Sequence, residues 1–215
     1  MSHVRVIIIS RNGNEAALAE AAEKIRAGGI VAFPTETYYG LGVSYSDAEA
    51  LERLFIIKRR PKDKPIPLVV GDIAALSSVA SSLNALALAI TGRFWPGPLT
   101  ILFAAHPGLS DLITGGSGKV AVRVPGRSFA LELARAVGHP LTATSANISG
   151  MPPADRPDEV IRYFGDAVDL LIDGGRTPGG RPSTIIDMSE GGIKLLREGA
   201  VPYEEILKAA NHHTP

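Results

Sequence analysis

Five cations, Lys58, Arg59, Arg60, Lys62 and Lys64, stand within seven residues against the single carboxylate of Asp63. Fixed cations at that density suit one chemistry well, the neutralisation of a polyphosphate, with Arg60 as a planar fork and Lys58 as a point charge. The plain alternative is a solvated face, the usual fate of a charge run. Thr144-Ser145-Ala146-Asn147 offers short hydroxyls, an amide and turn N–H groups. That set grips phosphate or ribose oxygens at the carboxyl ends of strands in open α/β sheets, although a simple Asx or Ser/Thr turn uses the same residue types. Arg123 lies inside the apolar run Val120-Ala121-Val122-Arg123-Val124-Pro125. A charge on an otherwise buried strand requires an internal carboxylate or a bound anion. Arg197, after Leu195-Leu196, poses the same question.

A fourth stretch, Phe33 to Gly42, packs hydroxyls, a carboxylate, two tyrosines and two glycines into ten residues behind the apolar run Ile30-Val31-Ala32-Phe33. Pro34 ends that run because it has no N–H for a ladder, and the sequence predicts a strand emptying into a binding loop. Glu36 is expected to orient this loop rather than to act as a base. Two glycine-rich segments fail as phosphate loops. Gly115-Gly116-Ser117-Gly118-Lys119 has Ile113 and Val120 where a P-loop needs glycine and a hydroxyl residue, and Gly40-Leu41-Gly42 has Tyr45 where a dinucleotide fingerprint needs its third glycine. Both read as turns. His3, His106, His139, His212 and His213 share no metal-ligand spacing, and the last two fall in a terminus expected to fray.

The elements that must hold these residues alternate. Strands are expected over Val4 to Ile9, Ile30 to Phe33, Ile66 to Val70, Leu99 to Ala104, Val120 to Val124, Pro140 to Ala143, Asp169 to Ile172, Ser183 to Asp187 and Lys194 to Arg197. Helices are expected from Glu15 to about Ala27 behind an Asn14 cap, behind the capping box Ser46-Asp47-Ala48-Glu49, between Ala74 and Arg93 with a break near Ser81, and over Ser128 to Val137, Asp158 to Phe164 and Glu204 to Ala210. Leu51, Leu54, Phe55 and Lys58 share one face of the second helix. Between Lys58 and Arg60 an extended backbone near Pro61 is expected to aim both side chains the same way. Phe94-Trp95-Pro96-Gly97-Pro98 is a turn whose aromatics plug the core. Gly174 to Pro182 is either a surface connector or a lid. Alternating strands and helices make this an α/β chain with a mixed sheet.

Composition excludes several classes. Lys plus Arg and Asp plus Glu balance at 22 each, so no global field draws nucleic acid or an anionic membrane. With no cysteine there is neither disulfide nor thiolate chemistry. Neither a signal peptide nor a membrane-length apolar stretch is visible, and a cytoplasmic protein is the expectation.

Taken together, the pieces resemble the YrdC/Sua5 family of threonylcarbamoyl-adenylate synthases. The resemblance rests on Pro34-Thr35-Glu36-Thr37 with Tyr39-Gly40-Leu41-Gly42, Lys58-Arg59-Arg60-Pro61 with Lys64-Pro65, Trp95-Pro96-Gly97-Pro98-Leu99-Thr100, Arg123-Val124-Pro125, Thr144 to Gly150, Ser183 to Asp187 and Leu196-Arg197-Glu198-Gly199. It implies a single YrdC-like domain over residues 1–215 with a core of about 14–200. The fold implied is a twisted mixed β-sheet flanked by helices around an open, concave, positively lined site. The implied reaction joins L-threonine, bicarbonate and ATP into threonylcarbamoyl-adenylate and pyrophosphate, for N6-threonylcarbamoyladenosine at position 37 of tRNA.

Carried over residue by residue, ATP binding falls on Lys58, Arg60, Ser145, Asn147 and Arg197, with Lys58 and Arg60 also catalytic, and threonine binding on Thr35, Tyr39, Arg123 and Ser183. Mg2+ is expected to arrive with ATP, with no tightly bound, protein-ligated metal. The intermediate is expected to pass to the tRNA threonylcarbamoyl transferase complex, with weak contact to RNA at most. Tyr38 departs from the small aliphatic residue many members carry, and a chain of 215 residues is expected to be too short for the additional C-terminal domain of the longer relatives. Two alternatives stand beside this reading. One is an RNA-binding or ribosome-maturation module without ATP chemistry. The other is the carbamoyl-transfer domain of hydrogenase maturation proteins, which is joined there to cysteine-rich zinc modules that this chain lacks.

Overall fold

Val31 and Phe33 pack to one side of their strand and Ala32 to the other, and all three are buried. Leu170, Leu171 and Ile172 repeat the pattern one strand away. Side chains alternate faces along a strand, so uninterrupted apolar runs mean that both faces of this sheet are covered. The computed structural model describes residues 4–10 and 14–211; His3, His212 and His213 lie outside them.

The elements in chain order are β1 (Arg5–Ile8), α1 (Glu15–Arg26), β2 (Val31–Pro34), β3 (Tyr39–Gly42), α2 (Ala48–Lys58), β4 (Leu68–Val69), α3 (Ala85–Phe94), β5 (Leu99–Ala104), α4 (Asp111–Thr114), β6 (Lys119–Arg123), α5 (Phe129–Val137), β7 (Leu141–Thr142), β8 (Thr144–Ser145), α6 (Pro157–Phe164), β9 (Leu170–Asp173), β10 (Thr184–Asp187), β11 (Lys194–Arg197) and α7 (Tyr203–Asn211). The fold is α/β with mixed pairing, as expected. Its strands divide between two sheets rather than forming one: β1-β9-β2-β3-β8 and β11-β10-β5-β6-β4-β7. Helices α1 and α5 pack on the outer face of the first sheet through Ala21, Ile25, Leu133 and Val137. The larger core gathers α2, the inner face of that sheet and the second sheet.

Three local expectations change. The stretch after Phe33 is a β-hairpin and not an open loop, because Pro34 pairs with Tyr39 and Phe33 with Gly40, leaving only residues 35–38 outside the strands. Asp47, one residue later than the capping box predicts, caps α2 by accepting the Ala50 N–H at 2.9 Å. Asn14 precedes α1 without a side-chain cap bond. Thr144 and Ser145, expected as a turn, instead form a strand with Leu41 and Gly40. The chain crosses from one sheet to the other between β7 and β8, and Gly42 lines that seam. A β-carbon there would stand 2.7 Å from the Phe33 ring and 2.9 Å from Leu141, so the close approach needs glycine. Among the described residues no helix is long and apolar enough to cross a membrane.

Candidate active site

The basic run separates into distinct fates. Helix α2 delivers Lys58 on the same buried face as Leu51, Leu54 and Phe55, and only 1% of Lys58 is exposed. Its ammonium donates to the carbonyls of Ser145 at 2.5 Å and Asn147 at 2.7 Å, 87 and 89 residues away in sequence. The Ser149 N–H donates back to the Lys58 carbonyl at 2.8 Å. Burial pushes the Lys58 ammonium down to about 7, and the nearby Arg60 charge pushes the same way. The two carbonyl acceptors favour the charged form and oppose that shift. Lys58 has three protons and these carbonyls take two.

An extended backbone does not place Lys58 and Arg60. Lys58 ends the helix, and Arg59 takes the left-handed conformation at φ 48° and ψ 42°. The Arg59 and Arg60 N–H groups close on the Ile56 and Phe55 carbonyls in a Schellman turn. Arg60 then curls over its own loop, donating to Lys64 O at 3.2 Å and Pro65 O at 2.7 Å, and burial lowers its pKa from the ordinary guanidinium value. Arg59 and Lys64 are exposed, and Lys62 pairs with Glu52 at 2.7 Å, so part of the run is indeed a solvated face.

Ser145 and Asn147 form a self-contained turn. Ser145 Oγ donates to Asn147 Oδ1 at 2.5 Å, and Asn147 Nδ2 donates to the carbonyls of Ile148 and Met151. The side chains hold the turn in shape, while the Lys58 ammonium pins it from beneath. Ser149 Oγ is buried beside them without a partner among the described residues, a feature with no local signature in the sequence.

The hairpin carries the second group. Thr35 Oγ1 donates to Tyr38 O at 2.6 Å and accepts the N–H groups of Thr37 and Tyr38, which builds the turn itself. Glu36 projects from it into an ion pair with Arg123 at the end of β6. This answers the question Arg123 raised: its partner is an internal carboxylate. Arg123 Nε also donates to Gly97 O at 3.0 Å, and burial lowers its pKa to about 10, where it remains a cation at neutral pH. Trp95 plugs the core beneath that turn, its indole N–H donating to Leu99 O at 2.7 Å, whereas Phe94 is only partly buried. Beyond the turn, Ser183 shares a 2.9 Å hydrogen bond with Thr100, and Arg197 donates to Ser183 O at 2.9 Å. Burial lowers the pKa of Arg197.

Tyr39 points into the core. Its side chain is fully buried, its hydroxyl donates to Gly175 O at 2.7 Å and accepts the Gly174 N–H at 3.1 Å, and burial raises its pKa to about 12. It anchors the 174–182 loop, which is further held by Gly179 N–H on Thr37 O and by an Arg176–Asp155 ion pair at 2.9 Å. Asp155 carried no signal in the sequence. Gly40 of the hairpin pairs with Ser145, so strand β3 joins the Lys58 group to the Glu36–Arg123 group. The recess lined by Arg26, Ser44, Asp47, Glu49 and His139 shares no residue with either. Among the described residues no three His, Cys, Asp or Glu side chains gather to hold a metal ion.

Residues 23–199 match the Sua5/YciO/YrdC family, described as "Telomere recombination", and the chain belongs to that family. A threonylcarbamoyl-AMP synthase of Pyrococcus abyssi (strain GE5 / Orsay) is 42% identical over 188 residues, which cover 87% of this chain and 55% of the relative. One of Idiomarina loihiensis is 37% identical over 173 residues, covering 78% of this chain and 91% of the relative. The crystal structure of P. abyssi Sua5 complexed with L-threonine superposes with a TM-score of 0.89 at 40% identity, over 95% of this chain and 60% of that one. The chain therefore spans somewhat more than half the length of the Pyrococcus protein.

Proposed function

We propose that this chain is a threonylcarbamoyl-AMP synthase. The observation that carries the reading is the buried Lys58 ammonium, which among the described residues has no carboxylate partner and pins the Ser145–Asn147 turn. A buried cation held only by neutral carbonyls is a poor device for stability and a good one for receiving an anion. The Idiomarina relative supports the same reading, since nearly all of its length is matched here and it carries that name.

In the proposed reaction the threonine amine attacks the carbon of bicarbonate, and loss of water leaves a carbamate. A carbamate oxygen then attacks the α-phosphorus of ATP in line, the bond to the bridging oxygen breaks, and pyrophosphate departs with that oxygen. Two anions must meet for this step. Lys58 and Arg60 offset their repulsion, Ser145, Asn147 and Arg197 hold the nucleotide end, and Mg2+ enters as part of the MgATP substrate. Thr35, Arg123 and Ser183 orient threonine, while Tyr39 holds the 174–182 loop across the hairpin. The adenylate passes on to the tRNA threonylcarbamoyl transferase complex.

The test is pyrophosphate release from ATP and bicarbonate with L-threonine, with L-serine, and with neither amino acid. Release that requires L-threonine is expected; release at the same rate without it would overturn the reading.

A further inference from the structure

Among the described residues Glu36 is the acidic group paired with one of the site cations. Both of its oxygens are shut off from solvent, and no donor beyond the Arg123 ion pair reaches them. Yet the pair is not deep in the core: 24% of the Glu36 side chain and 16% of the Arg123 side chain are accessible. An ionised carboxylate accepts at about four lone-pair positions, so Glu36 has more acceptor capacity than the protein uses.

The geometry points to a zwitterion clamp: Glu36 and Arg123 part to take the two poles of an α-amino acid, Arg123 receiving the carboxylate and Glu36 the ammonium. This rests on the proposed placement of threonine at Arg123 and deepens it, since it makes Glu36 the residue that selects an amino acid over the same carboxylic acid without its amino group. It concerns binding, before the nitrogen is deprotonated for chemistry.

Charge balance carries the argument. An amino acid brings one positive and one negative pole, bonded to the same carbon, and its insertion converts one ion pair into two. No charge is left uncompensated. A carboxylic acid lacking the ammonium would take Arg123 and strand Glu36 without a countercharge, which is costly in a poorly solvated position. The clamp therefore discriminates through a penalty on the wrong ligand as well as a contact to the right one. The Thr35 turn fixes the backbone on which Glu36 is carried, so the carboxylate is presented from a rigid support.

The test is calorimetric titration of the wild-type chain with L-threonine and with 3-hydroxybutanoate, its counterpart with hydrogen in place of the amino group. The wild type should bind L-threonine about tenfold tighter or more, the size expected of a hydrogen bond between charged groups. Glu36→Gln should lose about that factor for L-threonine and bind 3-hydroxybutanoate at least as well as the wild type. Equal wild-type affinity for the two ligands overturns the clamp, as does undiminished L-threonine affinity in folded Glu36→Gln. Should the variant fail to fold, the wild-type comparison decides alone. A wild type that binds neither ligand overturns the placement of threonine itself, and the clamp with it.

Discussion

Two cations of the site, one buried and one partly buried, are held in opposite ways. Lys58 is held by neutral acceptors, the carbonyls of Ser145 and Asn147, and among the described residues no carboxylate compensates its charge. Arg123 is matched by Glu36, and that locus is neutral before any ligand arrives. The contrast teaches what each end awaits. An uncompensated cation is relieved by a polyanion such as a triphosphate, whereas a neutral ion pair is best exchanged for a ligand that is itself neutral overall. The hairpin joins the two, with Gly40 paired to Ser145 and Glu36 projecting from the adjacent turn.

The contrast can be broken at either end. Lys58→Ala should have the largest effect, a loss of about a hundredfold or more in pyrophosphate formation, as for removal of one preorganised group that stabilises transition-state charge. Because Lys58 also pins the 145–149 turn, the variant should melt earlier as well; a rate within a few-fold of wild type would break the assignment. Arg123→Ala should come next, destabilising the fold by roughly 2 kcal/mol in urea unfolding, below the roughly 3–5 kcal/mol of a fully buried pair because both side chains stay partly accessible. Removing Glu36 in the same chain should recover part of that loss, and strict additivity would deny the pairing.

The smallest effect sharpens the contrast. With the Lys58 ammonium depressed to about 7 in the free protein, nearby phosphates should raise it again, so ATP binding at about pH 8 should take up part of a proton. The sign is fixed: affinity should weaken as pH rises above 7. Calorimetry in buffers of different ionisation enthalpy reads the uptake directly, and Lys58→Arg should show none. Arg123, matched by Glu36 and charged throughout this range, should contribute nothing to it.

Much of this was legible in the sequence because it is local. Helical spacing placed Lys58 on the face of Leu51, Leu54 and Phe55, and the apolar run around Arg123 demanded a partner for its charge. The partners were not legible, since they come from pairings across the fold. Ser145 and Asn147 meet Lys58 across 87 and 89 residues, and Glu36 meets Arg123 only where a hairpin of one sheet faces a strand of the other. Tyr39 is a related case: its place in β3 turns its ring into the core and its hydroxyl toward Gly174 and Gly175, 135 and 136 residues away, a pairing that no local pattern announces. The cap falls one residue later than the capping box predicts because Asp47 takes the Ala50 N–H while Ser46 Oγ is engaged with Ser44 Oγ at 3.2 Å.

The most direct test of the account follows the carbon of bicarbonate. With isotopically labelled bicarbonate, ATP and L-threonine, label should appear in a nucleotide product containing both threonine and AMP, formed in step with pyrophosphate. Pyrophosphate or phosphate release that leaves the nucleotide unlabelled would contradict it.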